Sequence, residues 1–399
     1  MRKTINIGDL GTIITGKTPP TTNKNYYGDY AVFIKPTDIS EQSKYTYETE
    51  EMYSKLAAEK YESSLIPKGA ICVPCIGTIG TKMTMTPCDC YTNQSINSII
   101  CNENYDNEYV YYLIKNFLPG LKAYNLGTAS GREYVSKSNF EKIELVAEQD
   151  KEIQKKIGVI LSRYDSLIEN YQKQIKLLGE AAQRLYKEWF IDLHFPGHEN
   201  TNIIDGVPEG WEKKKVNSII ELQSGFAFKS STFDDNGAYK IVTIKNVKDG
   251  AFDGDNVSRI VAIPEKMPKH CVLADGDILL SLTGNVGRVC IVNGKNYLLN
   301  QRVAKLATDF KAFTYCLFRS REMFIEINNL ANGAAQQNVS PIRIGEMKIL
   351  LPNNKLLQVF ESIVFKSIVR IISLQSQLRL LTEARDRLLP KLMSGEITI

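Results

Sequence analysis

Apolar positions follow two regimes along this 399-residue chain. In two stretches they recur at alternating steps of three and four. The first carries Ile153, Ile157, Ile160, Tyr164, Leu167, Tyr171, Leu178, Ala181 and Leu185, with Gln174 filling one slot. The second carries Val364, Ile368, Ile371, Leu374, Leu378, Leu381 and Leu388. Such a pattern paints one stripe along a helix and makes it a seam for a partner helix. Each stretch is about 35–40 residues, roughly 55 Å of helix. Only Pro390 interrupts, near the end of the second. Helices of that length overhang any one small domain. The sequence therefore predicts that the two stripes bury each other as a long antiparallel coiled coil.

Elsewhere the apolar residues form short β-branched runs, broken by Gly-Asx turns and by shorter helical patterns at Glu108–Phe117 and Phe313–Leu330. These mixed regions repeat. Gly69-Ala-Ile-Cys-Val-Pro-Cys-Ile-Gly-Thr-Ile-Gly80 aligns with Gly276-Asp-Ile-Leu-Leu-Ser-Leu-Thr-Gly-Asn-Val-Gly287, and Asn93-Gln94 falls on Asn300-Gln301 without a gap. Asn125-Leu126 and Val135-Ser136 match Asn329-Leu330 and Val339-Ser340. Upstream, Thr15-Gly16-Lys17 corresponds loosely to Gln223-Ser224-Gly225, and strand Ala31–Lys35 to Tyr239–Lys245. The expected fold is α+β with a pseudo-twofold internal repeat. A mixed domain at 1–148 is followed by a spacer helix at 149–192. A linker around His194–Asn202 and a second mixed domain fill 193–352, and a second spacer helix fills 353–399.

The repeat also weighs the candidate chemistry. Cys72-Val-Pro-Cys75 and Cys88-Asp-Cys90 have the spacing of a zinc site. However, Cys72 and Cys75 fall opposite Leu279 and Leu282, and positions that accept leucine are packing positions. No metal is expected. Gly11-Thr-Ile-Ile-Thr-Gly16-Lys17-Thr18 matches a phosphate-loop pattern, but Pro19 and Pro20 follow where the required helix would start, and the second copy lacks the pattern. The reading is a polar, basic loop. The chain holds three histidines, with His194 and His198 flanking Pro196-Gly197, and carries no nucleophile-elbow, zincin or base-methyltransferase motif. That inventory points away from catalysis.

What remains is a set of polar residues at matched places. Gly77-Thr78-Ile-Gly80 and Gly284-Asn285-Val-Gly287 are G-x-x-G turns after apolar strands, with Lys82 and Arg288 beside them. Such turns allow close backbone approach and can offer N–H groups to a phosphate. Asn93, Gln94, Asn300 and Gln301 carry amides that can pair with adenine, and Arg302 can pair with guanine. The glycine-containing loops at 127–133 and 332–338 add Ser130, Arg132, Gln336 and Gln337. Lys17, Thr18, Lys35, Lys229, Lys245 and Asn246 complete the candidate DNA-contacting set. A net charge of +4 is permissive for this. With 43% hydrophobic and 24% charged residues the chain is ordinary globular material, and no apolar run is long enough for a membrane span. A cytoplasmic protein is the expectation. The competing reading is a coiled-coil adaptor with two protein-binding heads.

Along nearly its whole length the chain resembles the specificity (S) subunits of type I restriction–modification systems. The resemblance rests on Val207-Pro-Glu-Gly-Trp-Glu212, Leu388-Leu-Pro-Lys-Leu-Met-Ser-Gly-Glu-Ile397, Glu148-Gln149, Lys187-Glu-Trp-Phe-Ile-Asp192 and Gly276-Asp-Ile-Leu-Leu-Ser281. It departs from the family pattern at Leu145-Val-Ala147, where prolines are usual, at Pro352-Asn-Asn-Lys-Leu356, which lacks Glu-Gln, and at Pro74. The resemblance implies two target-recognition domains, each reading half of a bipartite duplex DNA site, with the helices as a ruler between half-sites. It further implies docking of two modification (methyltransferase) subunits and of restriction subunits. S-adenosylmethionine and ATP would then be bound by those partners and not by this chain.

Overall fold

Every residue of Ile71–Pro74 and of Ile278–Ser281 is buried, so these two runs are central strands covered on both faces. Around each grows the same structure. The protein is described here by a computed structural model that covers residues 2–77, 79–127, 133–255, 257–331 and 337–399. Its contacts divide it into two compact units, one made of residues 1–170 with 380–399 and the other of residues 171–379. The units therefore divide each long helix along its length.

In the first unit an antiparallel sheet has the order Gly11–Thr15, Ile96–Cys101, Ile71–Pro74, Thr84–Met85. A second sheet joins Met52–Tyr53 to Tyr27–Ile34, which pairs in parallel with Tyr91–Thr92. Arg2–Asn6 pairs with Glu144–Glu148. The second unit repeats the plan. Its main sheet has the order Glu221–Ser224, Val303–Ala307, Ile278–Ser281, Val289–Ile291. Its second sheet sets Tyr239–Val242 parallel to Tyr297–Leu299, and Glu212–Lys215 pairs with Lys348–Leu351. Ser136 and Ser340 cap matching short helices with their side chains. The duplication read from sequence is a duplication of topology.

The first long helix spans Lys151–Tyr186 and ends in a wider turn at Lys187–Ile191; the second spans Asn354–Ser394. In the first unit Ile157 and Leu161 share a core with Leu389 and Leu392, and in the second Ala182 and Tyr186 share one with Phe360 and Ile368. The partners run antiparallel. The seam of the first helix, however, lies one residue later than its apolar pattern predicts. Gln154, Gly158, Leu161, Asp165, Ile168, Ala182, Tyr186 and Trp189 are buried. Leu167 is 45% exposed, and Ile160, Tyr164, Tyr171, Leu178 and Leu185 are only half-buried. Ile157 is buried beside the seam. The displaced seam holds Gln, Gly, Asp and Ala, types that an apolar count skips. In the second helix Ile368, Ile371 and Leu374 are buried as expected, whereas Leu378, Leu381 and Leu388 are half-buried beside buried Arg385 and Leu389.

Candidate nucleic-acid interface

Each main sheet ends in one recurrent contact. The Gly16 N–H donates to the Ile96 carbonyl (3.2 Å) and the Lys17 N–H to the Thr92 carbonyl (2.9 Å). In the second unit the Gly225 N–H donates to Val303 (3.3 Å) and the Phe226 N–H to Leu299 (2.9 Å). A methyl group on Gly16 would lie 2.1 Å from the Thr92 carbonyl oxygen, and one on Gly225 the same distance from that of Asn300. Glycine is required there by this backbone crossing, which accounts for Gly16 without a phosphate. The residues after Gly16 form a loop and a short turn at Lys24–Tyr26 in place of the helix a phosphate cradle needs.

The crossing presses the Asn-Gln pairs against the loop that follows it. The Asn93 N–H donates to the Ile34 carbonyl and the Asn300 N–H to that of Val242, both at 3.1 Å. The Thr18 hydroxyl meets the Gln94 amide oxygen. Asn93 turns its own oxygen to the Ser95 N–H (3.1 Å), closing a local turn.

The G-x-x-G turns do different work from a phosphate nest. The Gly77 N–H donates to the Glu133 carbonyl (2.9 Å), the Gly284 N–H to that of Gln337 (3.1 Å) and the Gly287 N–H to that of Ser281 (3.0 Å). These donors are taken, and the first two tie each turn to the glycine-containing loop of its own unit. The second glycine of each motif has a positive φ (74° at Gly80, 85° at Gly287) and lets a helix close in. A methyl there would lie 3.0 Å from Lys122 Cγ or 3.1 Å from Phe324 Cδ2.

In the second unit an open groove of about 400 Å³ is lined by Thr243, Ile244, Lys245, Ser258, Asn300 and Arg302. It brings together three residues expected from sequence, Lys245, Asn300 and Arg302. A methyl group on Gly284 would lie 3.4 Å from Ile244 Cδ1. Asn246 corrects the expectation: it is 1% exposed. Its Oδ1 accepts from the Thr243 N–H (2.8 Å) and hydroxyl (2.9 Å), and its Nδ2 donates to the Asp253 carbonyl (2.9 Å). Asn246 therefore shapes the turn that presents Lys245 and has no face for a base. Lys35 is also engaged, by Glu50 (2.8 Å) and Glu51 (3.1 Å). By contrast, among the described residues Lys17, Lys82, Lys229, Lys245, Arg288 and Arg302 form no ion pair with a carboxylate. A phosphate could approach them without displacing a partner. Asn285, Gln301 and Gln337 are exposed. Thr78, Ser130, Arg132 and Gln336 lie outside the described residues.

Cys72 and Cys75 belong to different hydrophobic clusters, so their thiols do not converge. Burial pushes both thiols up to about 12.

A family model described as the type I restriction modification DNA specificity domain matches residues 2–178 and again residues 208–379. The chain belongs to the type I restriction–modification specificity family. It is 28% identical over 408 residues to the type I restriction enzyme MjaIX specificity subunit of Methanocaldococcus jannaschii, covering 98% of this chain and 93% of that one. To the MjaVIII specificity subunit of the same organism it is 30% identical over 315 residues, 75% of this chain and 72% of the other. The crystal structure of a type I restriction–modification S subunit from M. genitalium shares its fold, with a TM-score of 0.61 at 17% identity over 98% of this chain and 96% of that one. The protein is thus a specificity subunit with two target-recognition domains, the DNA-recognition component and not the catalytic chain of its system.

Sequence reasoning missed several residues of this specificity subunit. Thr243 and Ser258 line the groove, yet Ser258 lies on a strand, Ser258–Ile260, that no repeat motif marked. Gln154 and Glu361 were also overlooked. Gln154 Oε1 accepts from the Asp106 N–H (2.9 Å) at the start of helix Asn107–Phe117, and Glu361 accepts from the Ala312 (2.8 Å) and Phe313 (3.2 Å) N–H groups at the start of Lys311–Phe318. Each ties a recognition unit to a long helix, and the signal was a polar residue inside an apolar stripe. No described helix is long and apolar enough to cross a membrane.

Proposed function

We propose that this specificity subunit reads a bipartite duplex target, one half-site per unit, and docks two modification subunits and the restriction subunits that act on that target. The observation that carries this reading is the pair of matched strand-end crossings. Each holds an Asn-Gln pair, and each unit also carries a G-x-x-G turn and cations that form no ion pair among the described residues, Lys17 and Lys82 in the first and Lys229, Lys245, Arg288 and Arg302 in the second. Phosphate contacts fix register while amides and guanidinium groups read base edges. Two modest half-site affinities then combine through effective concentration. The long helices set the unread gap. S-adenosylmethionine and ATP belong to the partner chains, and the complex works in the cytoplasm.

The test is adenine-methylation mapping with the modification partner present. One helical turn added to both long helices lengthens each by about 5.4 Å. The gap between half-sites should then grow while both half-site sequences stay the same. Altered half-sites with an unchanged gap would refute the ruler. Loss of sequence preference on changing residues of only one unit should likewise be confined to one half-site.

A further inference from the structure

The two long helices correspond at both ends, Lys151 with Asn354 and Ile191 with Ser394. Their starts correspond as well: Asp150 Oδ1 accepts from the Ile153 N–H (3.3 Å) and Asn353 Oδ1 from the Leu356 N–H (3.0 Å). At this offset Asp165 falls on Ile368, and Ala182 falls on Arg385. In the preceding short helices Tyr111-Tyr112-Leu113 falls on Tyr315-Cys316-Leu317.

Within the first unit Arg385 Nη1 donates to Asp165 Oδ1 and the Tyr112 hydroxyl donates to Asp165 Oδ2, both at 2.6 Å. The Asp165 and Arg385 side chains are 5% and 9% exposed. Within the second unit the equivalent places hold Ile368, Ala182 and Cys316, all in one apolar core. Three positions differ together: carboxylate, guanidinium and phenol in the first unit stand against Ile, Ala and Cys in the second. The same step of the helix pairing is ionic in one unit and apolar in its twin.

A chain with two similar helical stripes can pair each stripe with the wrong copy, since an exchanged element makes nearly the same contacts. We propose that the Asp165–Arg385 pair is a pairing code that makes each half of this chain choose the other half and reject a second copy of itself. If the first helix pairs with another first helix, Asp165 meets Ala182 and loses its guanidinium at a buried site. If the second pairs with another second, Arg385 meets Ile368 where its twin is only alanine, and keeps only Asp386, which is 54% exposed. Removing one partner of a buried ion pair is far more costly than replacing both by apolar groups. Of the three kinds of pairing, only first helix with second satisfies both charges, and within one chain that pairing is favoured further by its effective concentration.

The experiment refolds the full chain from denaturant at high protein concentration and measures particle mass by light scattering after gel filtration. Mixing of two dye-labelled batches reports exchange. Wild type should return as one-chain particles. Asp165→Ile with Arg385→Ala writes the apolar pair into the first unit and makes every pairing acceptable. It should raise the two-chain fraction by at least about tenfold. Ala182→Arg with Ile368→Asp writes the ionic pair into the second unit. It too makes self-pairing complementary, and should raise the two-chain fraction in the same way. One-chain recovery equal to wild type, in whichever symmetrised variant folds, overturns the proposal.

Discussion

Gln154 offers the sharpest test of how a recognition unit is fixed to its helix. It is fully buried, its Oε1 accepts from the Asp106 N–H at 2.9 Å and its Nε2 donates to the Glu148 carbonyl at 2.8 Å. Gln154→Met keeps the length, most of the volume and an equal helix propensity. It removes one hydrogen bond from each of two backbone groups, at about 1–3 kcal/mol for a fully buried one and less for one that water can reach. Glu148 is buried and Asp106 only partly so. A loss of about 3 kcal/mol is therefore expected, which moves a urea midpoint by about 1 M at a typical slope. Both tryptophans, Trp189 and Trp211, lie in the second unit. Far-UV circular dichroism should record an early transition, while tryptophan fluorescence should move less. If Gln154→Met matches wild type within about 0.5 kcal/mol, the two hydrogen bonds do not hold the unit to the helix.

Lys245→Ala should weaken binding to all duplexes about equally and lower the salt slope by about one, as a phosphate contact does, measured by titration from low to moderate salt. Arg302→Ala should instead relax base preference at one position of a single half-site by about 1–3 kcal/mol, read by selection from a degenerate pool. Gly225→Ala drives a methyl to 2.1 Å from the Asn300 carbonyl oxygen, so the sheet end must part. A cost of about 3 kcal/mol or more should show in the tryptophan-monitored melt. Of the eight cysteines, exposed Cys88 should react first with a thiol reagent at neutral pH, while buried Cys72, raised to about 12, should stay unreactive until unfolding.

The duplication was legible because strand residues such as Gly276–Ser281 and loop residues such as Asn300-Gln301 keep their spacing in both copies. Chain order and helix length were legible from periodicity. The helix seam was not, since Gln154, Gly158 and Asp165 occupy it for reasons of close approach and hydrogen bonding. A methyl on Gly158 would lie 2.8 Å from Glu108 Cβ, a constraint that no hydropathy pattern encodes. The candidate interface was legible by residue type but not by engagement. Lys35 and Lys245 look alike in sequence, yet one is neutralised by two glutamates distant from it along the chain. Asn246 and Asn300 likewise differ only in what folds over them.

The division of the chain has a consequence for synthesis. Residues 171–379 form one uninterrupted segment and can make the contacts internal to their unit once that segment leaves the ribosome. The other unit needs Leu380–Ile399 to complete it: Arg2 Nη2 reaches the Leu392 carbonyl at 2.9 Å, and Leu389, Leu392 and Met393 fill its core. Residues 1–170 are thus made before 171–379 yet are completed after them, once residues 380–399 have also emerged.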